Sequence, residues 1–459
     1  MELPAGALRR LAAQFPERYP VLLDSAADGP LSRHSILIAE PRAALWSDRD
    51  GAVHSHGFRH DGAQFLTALE NWWLAERIAP EPAAGHELPF AGGWAVFLSY
   101  EIAQETEPRL VLPRSALPWR AFALRASTAL IQERDSGRTW LRTEEPDERA
   151  VQRIRADLDV LRSTHTEPVA HQQLAIERIL EEDPDGYLGR VARAKEYVRA
   201  GDIYQANLSR PWQVQFAQDP PLAALYARLC AANPAPFAAF VQWRGVGILS
   251  SSPERLLRIR RRRIDTRPIA GTRPRSRRPG DDLAEMRELA AHPKERAEHI
   301  MLIDLERNDL GRVCEAGSVH VDELMSIESY AHVHHIVSNV TGQLRADVTP
   351  VAAVRALFPG GTITGCPKFR CMQIIAELEG SGRGAYTGSL GFLGRDGSMD
   401  MNILIRTMTV MGRHAEVRAG GGIVADSDPQ RELEETRAKA RGLLAALSTE
   451  PGGSSGAPA

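Results

Sequence analysis

One stretch, AGGGIVADSDPQRELEETRAKA from Ala419 to Ala440, constrains this chain more than any other. Its three consecutive glycines, Gly420, Gly421 and Gly422, predict a turn in which backbone sits against a ligand without Cβ interference. An apolar run, Ile423–Val424–Ala425, follows. Asp428 then suits an N-cap, and Pro429 the first position of a helix. On that helix Glu432, Glu435 and Lys439 share one face, spaced i, i+3 and i+7. Two carboxylates one turn apart suit a hard cation such as Mg²⁺, and an ammonium one turn further on suits an anion. Glu/Lys pairs at this spacing also make ordinary solvated helix faces, so the assignment needs support from elsewhere in the chain.

Bulk properties narrow the classes. With 459 residues the chain has room for one large domain or two to three ordinary ones. A net charge of −3 offers no basic field for nucleic acid. No apolar run approaches membrane-spanning length, and MELPAGALRR lacks the apolar core of a signal peptide. Cys230, Cys314, Cys366 and Cys371 have neither zinc spacing nor disulfide density, so reduced thiols and a cytoplasmic location are expected. Only four of the 56 basic residues are lysines, Lys195, Lys294, Lys368 and Lys439. In so arginine-biased a chain a lysine marks a place where a compact ammonium is wanted.

Residues 1–163 read as one N-terminal unit, 164–173 as a polar linker, 174–447 as a second unit and 448–459 as a disordered tail. LLDSAADGPLSRHSILIAEP and GGWAVFLSYEIA read as strands broken by turns, and the Asp-Gly of SDRDGAVHSHGF as a hairpin turn. Helical blocks are expected over Ala150–Arg162, Asp185–Ala200, Pro293–Arg307, Pro367–Leu378 and Pro429–Leu447. RRRIDTRPIAG, AGSVHVDEL, AYTGSLGFL and MNILIRTMTV read as strands. Short strands alternating irregularly with helices indicate a mixed α+β fold, not a βαβ series.

Four further blocks carry chemistry. HPKERAEHIMLIDLERNDLGRV begins a helix at Pro293 and places Glu298 on it, a carboxylate able to complement Glu435 on a cation. ESYAHVHHIVSNVTGQL brings His335 to the mouth of a buried strand, where an imidazole could serve as general acid or base near neutral pH. GGTITGCPKFRCMQIIAELE sets a Gly/Thr turn containing Thr362 before a helix, and its N–H groups suit an anion or a carbonyl oxygen. The G-x-x-x-x-G-K-[ST] order is absent, so ATP binding is not supported. AYTGSLGFLGRDGSMDMNILIRT is expected to place Tyr386 and Arg406 on the strands of a hairpin, with Arg406 a natural bidentate carboxylate clamp.

Taken together, these blocks resemble the chorismate-utilising enzymes, the family of anthranilate synthase component I and aminodeoxychorismate synthase component I. The resemblance spans essentially the whole chain and is strongest from Gly201 to Lys439. It implies a chorismate-binding fold of two packed antiparallel β-sheets surrounded by helices. GDIYQANLSR, ESYAHVHHIVS, AGGGIVADS and SRHSILIAEP look more like the aminodeoxychorismate branch. The resemblance further implies Mg²⁺ held by Glu298 and Glu435, with Glu432 behind them. It places His335 and Thr362 near the ring and its leaving hydroxyl. Tyr386, Arg406 and the Gly420–Gly422 backbone fall at the enolpyruvyl carboxylate, Lys439 beside the metal and Glu254 of SSPERL at the edge of the site.

Gln205 stands where water-using relatives carry a lysine base, which argues for ammonia as nucleophile. Ala270, in PIAGT, departs from the PIKGT of many aminodeoxychorismate synthases, whose lysine is proposed to attack C2 of chorismate. An alanine cannot be a nucleophile, and anthranilate synthases also have alanine there. The expected reaction is Mg²⁺-dependent conversion of chorismate and ammonia to 4-amino-4-deoxychorismate for para-aminobenzoate and folate synthesis, with anthranilate as the rival product. The chain has no G-x-C-x-G nucleophile block, so a glutamine amidotransferase partner is expected to supply the ammonia. The LLDSA block resembles the place where family members hold tryptophan.

Overall fold

The computed structural model describes residues 3, 6–27, 29, 31–79, 88–163, 173–275, 278–329 and 333–448. Of the expected linker, 164–172 lie outside the described residues, as do 449–459 of the expected tail.

Two antiparallel sheets of 11 strands each carry the fold. Along the first sheet the strands run Gly365–Cys366, Gln205–Phe216, His414–Ile423, Thr407–Met411, Val246–Ser252, Phe237–Trp243, Val21–Asp24, His34–Ala39, Thr128–Glu133 and Thr139–Thr143, and Ile176–Glu181 also pairs with Gln205–Phe216. Along the second they run Ile269–Pro274, Val333–Gln343, Arg263–Arg267, Arg255–Arg260, Met399–Asn402, Ser389–Gly394, Gly93–Leu98, Trp119–Ala126, Ala43–Asp48 and Val53–His56, and His320–Ser329 also pairs with Val333–Gln343. Strands from before residue 163 and after residue 174 share both sheets, so the linker divides the chain and not the packing.

The inner faces of the sheets meet over Val21, Ile38, Val241 and Ile248 from the first and Phe97, Phe122, Leu124 and Phe392 from the second. The Phe97 and Phe122 rings stack with centroids 5.4 Å apart. Helices cover the outer faces. Ala7–Gln14, Glu148–Ser163, Leu222–Ala232 and Pro429–Ala445 lie over the first sheet, burying Leu11, Ile154, Leu225 and Leu443. Phe65–Glu76, Pro293–Gly311 and Pro350–Leu357 lie over the second, burying Leu69, Ile303 and Val354. Proline occupies the first turn of the helices Pro184–Arg199, Pro293–Gly311, Pro350–Leu357 and Pro429–Ala445. There its missing N–H costs nothing, because first-turn N–H groups have no intrahelical partner.

Four times the chain passes directly from one sheet to the other: through residues 40–42, through Ser127, and at two links that lie side by side. Ser252–Pro253–Glu254 joins Val246–Ser252 to Arg255–Arg260, and Ile403–Arg406 joins Met399–Asn402 to Thr407–Met411. These two links are tied together: the Ile403 N–H donates to Glu254 O at 3.0 Å, and Ser251 N–H to Arg406 O at 3.1 Å. This corrects the expectation of a Tyr386/Arg406 hairpin. A hairpin does exist, Ser389–Gly394 with Met399–Asn402, but Tyr386 precedes it and Arg406 follows it. Arg406 takes a φ of +50° where the apolar run changes sheets.

All four cysteines are free thiols. Among the described residues no helix is long and apolar enough to cross a membrane.

Candidate active site

Gly420, Gly421 and Gly422 do not form the expected turn. They lie in the strand His414–Ile423, opposite Ser209, Leu208 and Asn207 of the neighbouring strand. On the other side the strand Thr407–Met411 pairs only as far as Val417, so among the described residues no strand pairs with the second edge of the glycines. The Gly420 carbonyl is turned to that edge, where it accepts from Lys439 Nζ at 3.0 Å. What the glycines provide is room on both faces. A Cβ on Gly420 would stand 2.9 Å from Tyr386 Oη, and one on Gly422 would collide with Gln205 Nε2. One on Gly421, pointing to the opposite face, would meet Glu432 Oε2 at 3.1 Å and Glu435 Oε1 at 3.6 Å.

The two carboxylates are delivered by the helix Pro429–Ala445, which forms as its sequence predicts. Asp428 Oδ1 caps it by accepting from the Arg431 N–H at 2.9 Å. Glu432, Leu433, Thr436, Ala440 and Leu443 make its buried face. Glu435 pairs with Lys439 at 2.7 Å, and both side chains are about half exposed, at 50% and 39%. Such a pair is worth only about 0.3–0.5 kcal/mol to a helix. Stability therefore does not explain its position beside a backbone with an open edge.

The donor set of Glu432 and Glu435, converging where Gly421 has no side chain, fits a hard cation, which commonly takes one or two carboxylates and completes its shell with water and substrate oxygens. Glu298 lies on a different helix, Pro293–Gly311. Among the described residues no three His, Cys, Asp or Glu side chains are gathered as a metal set. At Gly421 the structure brings Glu432 and Glu435 to one backbone position.

The crossings supply Glu254 and Arg406, and Thr362, His335 and Tyr386 come from a short helical turn, a strand and a loop. Glu254 is 4% exposed. Burial raises its carboxyl to about 7, against the lowering influence of Thr362, the Ile269 N–H and Arg406, and with the Glu306 charge adding to the rise. Thr362 stands in the short helical turn Gly361–Ile363, and its carbonyl accepts from Asn207 Nδ2 at 3.5 Å. His335 is 2% exposed, with Nδ1 3.4 Å from the Gly271 carbonyl. Burial, then the charge of Arg406 and that of Lys439, lowers its pKa to about 3. This corrects the expectation of a neutral-pH acid–base histidine: the imidazole is uncharged throughout the physiological range. Ala270 lies opposite Ile336 at the start of a β-irregularity that runs through Gly271, whose φ is +66°. Burial lifts the Tyr386 hydroxyl to about 12, so it acts as a hydrogen-bonding phenol and not a base.

Sequence reading missed the group that ties these parts together. Arg383 Nη2 donates to the Asn207 carbonyl and to Glu379 Oε1, each at 2.7 Å, and Nη1 donates to the Ile363 carbonyl at 3.0 Å. It also lies over the Tyr386 ring, 5.7 Å from the centroid. One guanidinium thereby fixes the Gln205–Asn207 strand end, the Thr362 turn and the Tyr386 loop. Burial works against ionisation of Glu379, but Arg383 and Arg418 outweigh it and hold the carboxyl below its ordinary value. The one available signal was the Glu379/Arg383 spacing of i, i+4 at a helix end, which in isolation reads as a surface pair. A second buried pair, Lys368 with Asp309, shows that the lysine of GCPKF serves the fold.

The LLDSA block borders a cavity of about 590 Å³ lined by Asp24, Ser25, His34, Phe237, Arg255 and Asn402, among others. The Asp24 carboxylate is taken up by Arg9 at 2.7 Å, Ser35 at 2.8 Å and Tyr226 at 3.1 Å.

Residues 26–445 match the family model described as chorismate binding enzyme. An anthranilate synthase component I-like protein of Synechocystis is 43% identical over 426 residues, covering 91% of this chain and 83% of the relative. Aminodeoxychorismate synthase component 1 of Bacillus subtilis is 37% identical, covering 94% and 92%. The crystal structure of anthranilate synthase component I from Streptococcus pneumoniae superposes with a TM-score of 0.78 at 29% identity, covering 91% of this chain and 93% of the other. With its match running from just after the strand Val21–Asp24 to the end of the helix Pro429–Ala445, the chain belongs to the chorismate-binding enzymes.

Proposed function

We propose that this enzyme aminates chorismate with ammonia to give 4-amino-4-deoxychorismate, with Mg²⁺ as cofactor and a glutamine amidotransferase subunit as the ammonia source. The observation that carries the amination reading is Gln205. A neutral carboxamide, 6% exposed, faces the Gly422 gap, and it has no basicity with which to activate water. The branch follows the GDIYQANLSR, ESYAHVHHIVS and AGGGIVADS motifs. A partner subunit is supported by relatives whose names designate them component 1.

Glu432 and Glu435, with Glu298, would hold the cation, which supplies positive charge against the ring carboxylate. The chain's own residues do the rest. Lys439 and Arg406 attract the carboxylates, and the free edge at Gly420–Gly422 receives one of them. Glu254, protonated over much of the neutral range, gives its proton to the departing C4 hydroxyl, which leaves as water as the C–N bond forms. The extra proton on the new amine returns to the Glu254 carboxylate. Neutral His335 donates or accepts hydrogen bonds near the ring without changing charge.

Ala270 favours a second reading, direct amination at C2 followed by loss of pyruvate to give anthranilate. Incubating the pure chain with chorismate, Mg²⁺ and an ammonium salt, then resolving products by chromatography and mass, decides between them. An aminated product that retains the enolpyruvyl group supports the first reading. Fluorescent anthranilate with pyruvate replaces it, and no aminated product removes both. Tryptophan is proposed for the cavity beside Asp24 and Ser25; an unfolding midpoint that does not move in saturating tryptophan would remove that assignment.

A further inference from the structure

We propose that Glu306, on the helix Pro293–Gly311, is a positioning residue for Glu254, acting through the Thr362 turn and through its own charge. The inference rests on the amination reading, with Glu254 as the acid, and deepens it. Glu306 is 4% exposed, and no step above uses it. Its carboxyl reaches two other elements. Oε2 accepts from Thr266 Oγ1 at 3.0 Å, and Oε1 accepts from the Gly361 N–H at 3.3 Å. Gly361 opens the turn Gly361–Ile363 that carries Thr362. The fit leaves no room for a side chain: a Cβ on Gly361 would stand 2.5 Å from Leu305 Cδ2 and 3.1 Å from Glu306 Oε1. Thr362 in turn bears on Glu254, whose ionised form it favours. One short turn therefore touches both buried carboxyls.

The hydrogen bonds decide which of the two keeps a proton. Glu306 has a donor on each oxygen, whereas Glu254 Oε1 has none among the described residues. Donors favour the ionised form, so Glu306 is the better place for a negative charge and Glu254 for a proton. Among the described residues no cation pairs with Glu306, and Lys368 is committed to Asp309. Burial is the largest influence on both carboxyls and raises each to about 7. At Glu306 the Asp309 charge adds to the rise, and Lys368, Thr266 and the Gly361 N–H oppose it. At Glu254 the Glu306 charge adds to it, and Thr362, the Ile269 N–H and Arg406 oppose it. Two neighbouring carboxyls do not readily ionise together, so charge on Glu306 holds the proton on Glu254 into the neutral range. That is where a general acid works best.

The test measures kcat/KM for chorismate against pH, with ammonium chloride as nitrogen source, as a ratio of variant to wild type in which the pH dependence of free ammonia cancels. Glu306→Gln keeps the size and an acceptor but loses the charge. Glu254 then gives up its proton at lower pH, and the ratio should fall about two- to fivefold between pH 6 and pH 8, the reading of a shift of about half to one unit. Glu306→Asp keeps a carboxylate, and its ratio should hold level within about twofold even if its shorter reach lowers the rate at every pH. A purely structural Glu306 would leave both ratios level. A ratio for Glu306→Gln that stays level or rises with pH overturns the proposal. Should that variant fail to fold, Thr266→Val takes its place. Losing the hydroxyl donor disfavours ionised Glu306, so the ratio should again fall with pH, and a level ratio overturns the proposal equally. Failure of the wild type to aminate chorismate at all would instead remove the amination reading, so the two failures are distinguishable.

Discussion

Replacing Glu254 with glutamine should make the protein more stable and less active, and the size of the first effect follows from the burial of one carboxyl. Glu254 titrates at about 7 in the folded chain against an ordinary 4.5. Each factor of ten is worth about 1.4 kcal/mol, so keeping this carboxylate ionised in the fold costs roughly 3 kcal/mol. The folded state binds the proton more tightly than the unfolded state, so the penalty is absent below 4.5, grows between 4.5 and about 7, and is constant above. Stability of the wild type thus falls through that window relative to a variant with no ionisable group at residue 254.

Glutamine preserves the shape and removes the charge. Urea unfolding of wild type and Glu254→Gln at a series of pH values should give a difference that moves in the variant's favour by roughly 2–3 kcal/mol from pH 5 to pH 8. Titration of the neighbouring Glu306, also raised by burial, largely cancels in the difference. Under the same substitution kcat should fall by about 10²–10⁴, the usual contribution of a positioned acid, with KM for chorismate little changed. A stability difference that stays flat across the window would refute the argument, since it would mean that the buried carboxyl does not titrate high. A flat difference with intact kcat would also remove Glu254 from the chemistry.

Arg383→Met should cost about 3–5 kcal/mol in urea unfolding, because it leaves Glu379 buried with only part of its compensation; a loss under 1 kcal/mol would mean that Arg418 alone suffices. Phe122→Ala, between the sheets and away from the catalytic groups, should cost about 3–5 kcal/mol while leaving KM for chorismate at the wild-type value in assays below the unfolding transition.

The parts of this molecule legible in its sequence are those whose signals are local. Proline announced the helices at Pro293 and Pro429, with Asp428 as the cap of the second, and the i, i+3, i+7 spacing placed Glu432, Glu435 and Lys439 along one helix, where Glu435 and Lys439 pair. The reading failed where meaning depends on a distant neighbour. MNILIRTMTV reads as one apolar strand, but its two halves lie in different sheets, and no local feature marks the crossing at Ile403–Arg406 except an arginine with positive φ. His335 was recognised as entering a buried strand, yet its protonation is set by burial and by Arg406 and Lys439 from other elements. Arg383 was missed because a buried ion network and a surface helix pair have the same sequence.

The three glycines give the sharpest instance, because a turn and a two-sided strand demand the same residue for different reasons. If the strand reading is right, each glycine serves a different neighbour and the alanine variants should separate. In Gly422→Ala the new methyl collides with the amide end of Gln205, a flexible side chain that can move away. The protein should fold with near-normal stability but show a raised KM for ammonia. In Gly421→Ala the methyl lies 3.1 Å from Glu432 Oε2, tight enough to displace that carboxylate by a few tenths of an ångström. The effect should fall on Mg²⁺ binding, read by calorimetry as well as by rate. Gly420→Ala has least freedom, since its methyl would stand 2.5 Å from the Leu208 carbonyl and 2.9 Å from Tyr386 Oη. Backbone cannot yield as a side-chain tip can, so this variant should lose stability as well as substrate affinity. A turn makes no such distinction: three glycines chosen only for backbone freedom would give three variants weakened alike, in folding and in every kinetic constant, and that outcome would refute the two-sided arrangement on which the site assignment depends.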